Sequence, residues 1–353
     1  MENGLVNVAR RLDPAEFQIH VCCLERGGEF AERLPDPQNI SVLSKPPGFS
    51  PGSILRLGKV ISRVQPNLIH SHNLGPLIYS SLATGLGVSR PILHGEHGLK
   101  LEQRTKKSMR QRRFFYRTCK KVQAVSHGLR QEFIEYGMPA EKILVIVNGV
   151  DTERFCPLPV SVAREKIHLP SAGPVLGIVG RFDPLKKHSA LIEAFERLSK
   201  KFPAAQLLVV GDGGEIRDEI VQRAQNSPAA KRIHLTGFQK QPEDFYRAMD
   251  LLVSPSIYEG MSNVVLEAMA CGVPVLAHTA CGNSEVMRHN QDGIIANLET
   301  VDLLQSELEK ILADPPRLAR MGVAARENVV QRFSMAKMVE DYANLYRELA
   351  AKS

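Results

Sequence analysis

The chain has 353 residues, 43% hydrophobic and 24% charged, a globular profile long enough for two domains, each with its own core. Its 26 glycines and 22 prolines are scattered, which excludes collagen-like and low-complexity classes, and the lack of Trp makes the cores aliphatic. The net charge of +7 is concentrated: residues 100–121 carry ten Lys/Arg against Glu102 alone, so the rest of the chain sums to −2.

Taken in chain order, residues 2–12 read as an amphipathic helix (Leu5, Val8, Ala9, Leu12) that runs into a first strand. Strand candidates follow at 18–24, 40–43, 68–70, 91–94, 122–125 and 143–147, with helices between them. The longest charge-free stretch, 67–89, holds His70, His72, Asn73, Pro76 and several glycines and would make a poor spanning helix. The basic segment 100–121 reads as one helix with Met109, Phe114, Phe115 and Tyr116 interspersed. Asn148-Gly149-Val150-Asp151, followed by Pro157 and Pro159, reads as a hinge. Beyond it, strands at 175–179, 206–210, 233–236, 251–254, 273–277 and 293–296 alternate with helices at 189–202, 215–224, 243–249, 263–271 and 284–289.

Such alternation implies parallel sheets covered on both faces, an α/β chain of two Rossmann-like domains across a cleft. Ligands then bind beyond the carboxyl ends of the strands. Residues 300–353 read as helical, and Met338, Val339, Tyr342, Leu345, Tyr346 and Leu349 form an apolar stripe that needs a surface to cover. Cys22, Cys23, Cys119, Cys156, Cys271 and Cys281 fall in no metal spacing and read as reduced residues of a cytosolic protein. No basic-then-apolar leader opens the chain.

Three constellations carry candidate chemistry. Tyr258-Glu259-Gly260-Met261-Ser262-Asn263 joins a strand to a helix whose first amides would form an anion site. Glu267 follows about 7 Å along that helix, the spacing from a diphosphate to the sugar ring beyond it; a structural carboxylate paired with Arg or Lys is the alternative. Gly180-Arg181-Phe182-Asp183-Pro184-Leu185-Lys186 sets two cations after a strand, where they would neutralise a departing diphosphate or simply be solvated. His70, His72 and Asn73, with His94 and His97, follow two strands of the first half and suggest a polar acceptor pocket. Their spacing fits no standard zinc pattern, and no Asp-x-Asp occurs. The Gly211-Asp212-Gly213 and Thr236-Gly237-Phe238 turns end strands where a nucleotide would lie.

In this order the motifs resemble the GT-B glycosyltransferases of family 4, which are retaining and nucleotide-sugar dependent. The resemblance covers nearly the whole chain. It implies a donor domain at 156–333 and an acceptor domain at 1–155, with the helix at 334–353 crossing back onto the latter. Arg181 and Lys186 would hold the donor diphosphate as leaving group, and Glu259 would contact the sugar beside the amides of Gly260, Met261 and Ser262. Glu267 would accept the ribose hydroxyls, Gly180, Gly211, Gly237 and Phe238 would line the nucleotide, and His97 matches the family's acceptor-domain catalytic histidine. No cofactor or metal is implied. Lys45-Pro46-Pro47-Gly48 and His94-Gly95-Glu96-His97-Gly98 are similar to a bacterial subgroup of exopolysaccharide and sorting-signal systems.

Members normally begin with a strand and a Gly-Gly loop that have no counterpart before residue 2, so Met1 reads as an internal methionine of a longer protein. The resulting expectation is a cytoplasmic transferase that moves a sugar to a glycan or lipid-linked acceptor, with Arg110, Arg112 and Arg113 facing an anionic membrane surface. A nucleotide-sugar epimerase on the same fold, a disabled paralogue and a basic nucleic-acid binder are the rivals. The paired Glu259 and Glu267 oppose the first, and the intact donor residues oppose the other two.

Overall fold

The computed structural model describes residues 2–28, 31–36, 38–85, 90–98, 104–258, 261–279 and 282–351. The chain divides into two units, Met1–Asn148 with Ala336–Ser353, and Gly149–Met335.

The first unit contains α1 (Glu2–Ala9), β1 (Val21–Cys23), β2 (Ile40–Val42), α2 (Pro51–Val64), β3 (Ile69–His72) and α3 (Leu74–Gly85). It continues through β4 (Ile92–Glu96), α4 (Lys106–Phe115), β5 (Lys121–Ala124), α5 (His127–Glu135) and β6 (Ile143–Val145). Strands β1 and β2 pair with each other, while β3-β4-β5-β6 form a separate parallel sheet. Ile54, Leu57 and Ile61 recur on one stripe of α2 and pack with Tyr79 and Ala83 of α3. The opposite stripe of α2 leaves Leu55 exposed.

The second unit contains α6 (Val160–Lys166), β7 (Val175–Val179), α7 (His188–Lys201), β8 (Gln206–Val210), α8 (Arg217–Asn226), β9 (Ile233–Leu235) and α9 (Glu243–Arg247). It ends with β10 (Leu251–Ser254), α10 (Asn263–Ala270), β11 (Val275–His278), α11 (Asn283–Val286), β12 (Gly293–Ala296), α12 (Val301–Leu312) and α13 (Pro315–Arg332). Its parallel sheet has the order β12-β11-β10-β7-β8-β9. Strands this apolar are buried on both faces, and Leu176, Leu207, Val253 and Leu276 meet Leu191 and Phe195 of α7 and Leu304 and Leu308 of α12 in one core. The final helix, α14 (Met335–Ala351), belongs to the first unit from Ala336 onward. There Arg347 forks onto both carboxylate oxygens of Glu16 at 2.6 Å, and Tyr346 meets Phe17 edge-on.

Three expectations shift. The basic segment is not one helix: α4 starts after Thr105, whose side chain caps Ser108, gives way to a 3-10 turn at Tyr116–Thr118, and Lys121 opens β5. The strand expected at 273–277 begins at Val275, because Pro274 has no N–H to donate to the ladder. Residues 149–155 pair with the second unit: Val150 N–H donates to Phe333 at 2.9 Å, and Arg154 pairs with Glu243.

Candidate active site

In the second unit the strand order reverses between β7 and β10, and in such sheets the crevice at the carboxyl ends of those two strands binds ligands. A small pocket lies there, lined by Val179, Lys186, Ser254, Ser256, Ser262 and Val264 among others. Lys186 reaches it from a one-turn 3-10 helix capped by Asp183, whose carboxylate accepts from Leu185 N–H at 3.0 Å. The glycine turns abut one another beside it. Gly180 N–H donates to Val210 at 2.9 Å and Gly211 N–H to Gly237 at 3.0 Å. A Cβ on Gly211 would stand 2.0 Å from the Gly180 carbonyl, so only glycine fits. Phe238 presents a ring that is 72% exposed, and the Arg181 side chain is 71% exposed, 3.9 Å from Asp183.

Ser262 precedes α10 in extended conformation without using its side chain as a cap. The helix packs its apolar residues against α9 and α13, and Glu267 is its single charge. Tyr246, fully buried on α9, donates to Glu267 Oε2 at 2.6 Å. Burial pushes the Glu267 carboxyl up to about 7, against the Tyr246 bond and the Arg154 charge, which pull it down.

In the first unit β3 and β4 each run two residues further than expected, so His72 stands within β3 rather than after it and His94 lies inside β4 rather than at its end. Side chains alternate across a strand, which splits the histidines between two faces. On one face His72 Nδ1 lies 3.0 Å from His97 Nε2 with the rings stacked, and His70 lies against His72. Burial is the leading cause that lowers all three pKa values, His70 to about 3, His97 to about 4 and His72 well below its ordinary value, so these imidazoles are neutral at pH 7. On the other face His94, wholly buried, contacts Ser71 Oγ at 3.0 Å and Glu96 at 3.4 Å. Glu96 also accepts from Arg112 at 3.0 Å and from Tyr116 at 2.8 Å. Burial would raise the Glu96 carboxyl, but the His94 and Arg112 bonds outweigh it and hold it at about 2. Among the described residues no group of three or more His, Cys, Asp or Glu side chains is arranged to hold a metal.

Two family models match the chain. The model for glycosyl transferases group 1 matches residues 161–328, and that for Glycosyltransferase Family 4 matches residues 1–154. The chain is a glycosyltransferase of family 4. The Escherichia coli UDP-Gal:alpha-D-GlcNAc-diphosphoundecaprenol alpha-1,3-galactosyltransferase is 26% identical across 95% of this chain and 90% of its own length. The lipopolysaccharide core biosynthesis glycosyltransferase LpsE of Rhizobium meliloti is 30% identical, but the match spans just 65% of either chain. Anabaena Alr3699/HepE, solved in complex with UDP, superposes with a TM-score of 0.86 at 22% identity over 98% of this chain and 96% of its own. The fold is GT-B.

In this glycosyltransferase Lys186 and Ser262 line one pocket, with Gly180, Gly211 and Gly237 adjoining one another at the ends of neighbouring strands. Met261 is buried beside Ser262, whereas Glu259 and Gly260 lie outside the described residues. His72 and His97 are brought together, and Asn73 follows β3 in left-handed conformation at φ 66°. Two expectations are corrected. His94 points into the buried face and is no part of the His72–His97 pair, because it differs from them in strand parity. Arg112 is 2% exposed and tied to Glu96, so it faces no membrane, while Arg110 and Arg113 are exposed. Sequence reasoning missed Ser254 and Ser256, which the carboxyl-end rule would have flagged, and Tyr246, for which no local signal exists because it reaches Glu267 from another helix.

Proposed function

We propose that this glycosyltransferase moves a sugar, with retention, from a nucleotide-diphosphate donor held by the second unit to a glycan or lipid-linked acceptor held by the first, in bacterial surface or exopolysaccharide synthesis. The observation that carries the donor half is the pocket at the β7–β10 reversal, with Lys186 at its wall and Ser262 leading into the helix that bears Glu267. Arg181 and Lys186 take up the charge of the departing diphosphate, so the transfer needs no metal or other cofactor. Glu267 receives the ribose hydroxyls, the ring of Phe238 and the turns at Gly180, Gly211 and Gly237 flank the base, and Glu259 with the amides of Gly260, Met261 and Ser262 meets the sugar. The relative named for UDP-Gal and the neighbour solved with UDP support a uridine donor.

The acceptor half rests on His97, paired with His72, which Asn73 follows in the chain. A neutral imidazole offers one donor and one bare nitrogen, which suits a sugar hydroxyl better than an anion. The diphosphoundecaprenol in the name of the E. coli relative supports a lipid-linked acceptor. Such a substrate calls for a protein working at the inner face of the cytoplasmic membrane, and no described helix is long and apolar enough to cross one.

The test is the thermal midpoint with UDP, GDP, ADP and CDP, each alone and without metal. A nucleotide at 100 times its Kd stabilises by about 2.7 kcal/mol. UDP raises the midpoint and Glu267→Ala removes the rise; a folded chain indifferent to all four would overturn the donor assignment.

A further inference from the structure

One face of the β3-β4-β5-β6 sheet carries a polar chain that ends on the closing helix. His72 of β3 is in register with Gly95 of β4, and Gly95 with Gln123 of β5. Parity puts His70 on the same face. Tyr346 Oη of α14 lies 2.8 Å from His70 Nδ1, the His70 ring lies 4.1 Å from that of His72, and His72 Nδ1 lies 3.0 Å from His97 Nε2. Gly95 makes the convergence possible. A Cβ there would stand 2.8 Å from His72 Nδ1 and 3.2 Å from both His70 Nε2 and Gln123 Oε1.

We propose that Tyr346 and His70 are positioning residues for His97, transmitting the seating of α14 through the His72 ring to the imidazole read above as acceptor-side. The functional meaning rests on that reading; the physical coupling does not. A neutral imidazole carries one N–H and one bare nitrogen, so its partner decides which is which. Gln123 Nε2 donates to the Ile146 carbonyl at 2.7 Å, which turns its Oε1 toward the space beside Gly95. Both Gln123 Oε1 and His70 Nε2 are buried there without a partner, and a buried acceptor is best matched by a donor facing it. That match puts the His70 proton on Nε2 and leaves Nδ1 to accept from the Tyr346 hydroxyl. The packed His70 ring limits how His72 rotates, and the His72–His97 contact requires one donor and one acceptor. The tautomers of the last two rings are therefore linked to each other through their hydrogen bond, whereas His70 acts on His72 through ring packing, which fixes the angle at which His72 meets His97.

The test is the long-range proton–nitrogen spectrum of the full chain labelled with ¹⁵N-histidine. His94, on the opposite face, is the internal control. Tyr346→Phe keeps the ring and deletes the hydroxyl; His70→Gln removes the imidazole ring and puts a hydrogen-bonding amide in its place. In both, the His97 ring nitrogens move toward a mixture of tautomers while those of His94 hold still. Unmoved His97 nitrogens in both variants, or His94 nitrogens that move as far, would overturn the proposal. Failure of the acceptor-side reading shows separately, as His97→Ala releasing UDP from the probe donor UDP-galactose at the wild-type rate.

Discussion

Glu267 shows how one carboxyl joins stability to binding. Burial raises its pKa from 4.5 to about 7 even though Tyr246 donates to it. Between those values the folded chain keeps a proton that the unfolded chain has lost, so stability falls as pH rises from about 4.5 through about 7. The full fall is at most ~3 kcal/mol, at 1.36 kcal/mol per pKa unit. Ribose hydroxyls that donate to Glu267 favour its ionised form, so donor binding expels that proton. Calorimetry of UDP binding at pH 6.5, in buffers of different ionisation enthalpy, is expected to show about three-quarters of a proton more released by the wild type than by Glu267→Gln, the terminal phosphate's own proton release being common to both. An equal proton count in the variant would place the titrating group elsewhere.

Helix α4 shows what an element's composition can hide. Its charge suggests an outward basic face, yet Met109 and Arg112 turn inward, and Arg112 closes the buried Glu96–His94–Tyr116 network. Removing one partner of such a pair strands the other charge in the interior and typically costs about 3–5 kcal/mol. Arg112→Ala is expected to lower the unfolding free energy of the first unit by that order, against about 0.5 kcal/mol or less for Arg110→Ala. Denaturant titration checks this, and equal losses in the two variants would count against the network. The second unit was legible element by element, because strands such as 175–179, 206–210 and 251–254 are short apolar runs bounded by turns. The histidine faces were not legible. They depend on strand parity and cross-strand register, and ending β3 two residues early in the sequence reading put His72 in a loop. Arg112 was misplaced for a related reason: its carboxylate partner lies on a strand, and no helical spacing reports it.

At the scale of the whole molecule the charge is a local feature, since residues 100–121 carry +9 and the remainder sums to −2. With Arg112 paired inside, the outward share of that segment includes Lys106, Lys107, Arg110, Arg113 and Arg117, and among them Phe114 is 62% exposed. An aromatic ring among cations suits a headgroup layer, where each basic residue near an anionic surface contributes about 1 kcal/mol. We therefore expect vesicles rich in phosphatidylglycerol, but not neutral phosphatidylcholine vesicles, to bind the chain at low salt. Binding should fade as salt shortens the screening length from about 30 Å at 0.01 M to about 10 Å at 0.1 M. Reversing two charges, Arg110→Glu with Arg113→Glu, removes two attractions and adds two repulsions. The affinity should then drop on the order of 10²–10³-fold, while the midpoint rise with UDP is unchanged because the donor pocket lies wholly in the second unit. Undiminished vesicle binding by the doubly reversed variant would remove the membrane from the proposal and leave the donor site standing.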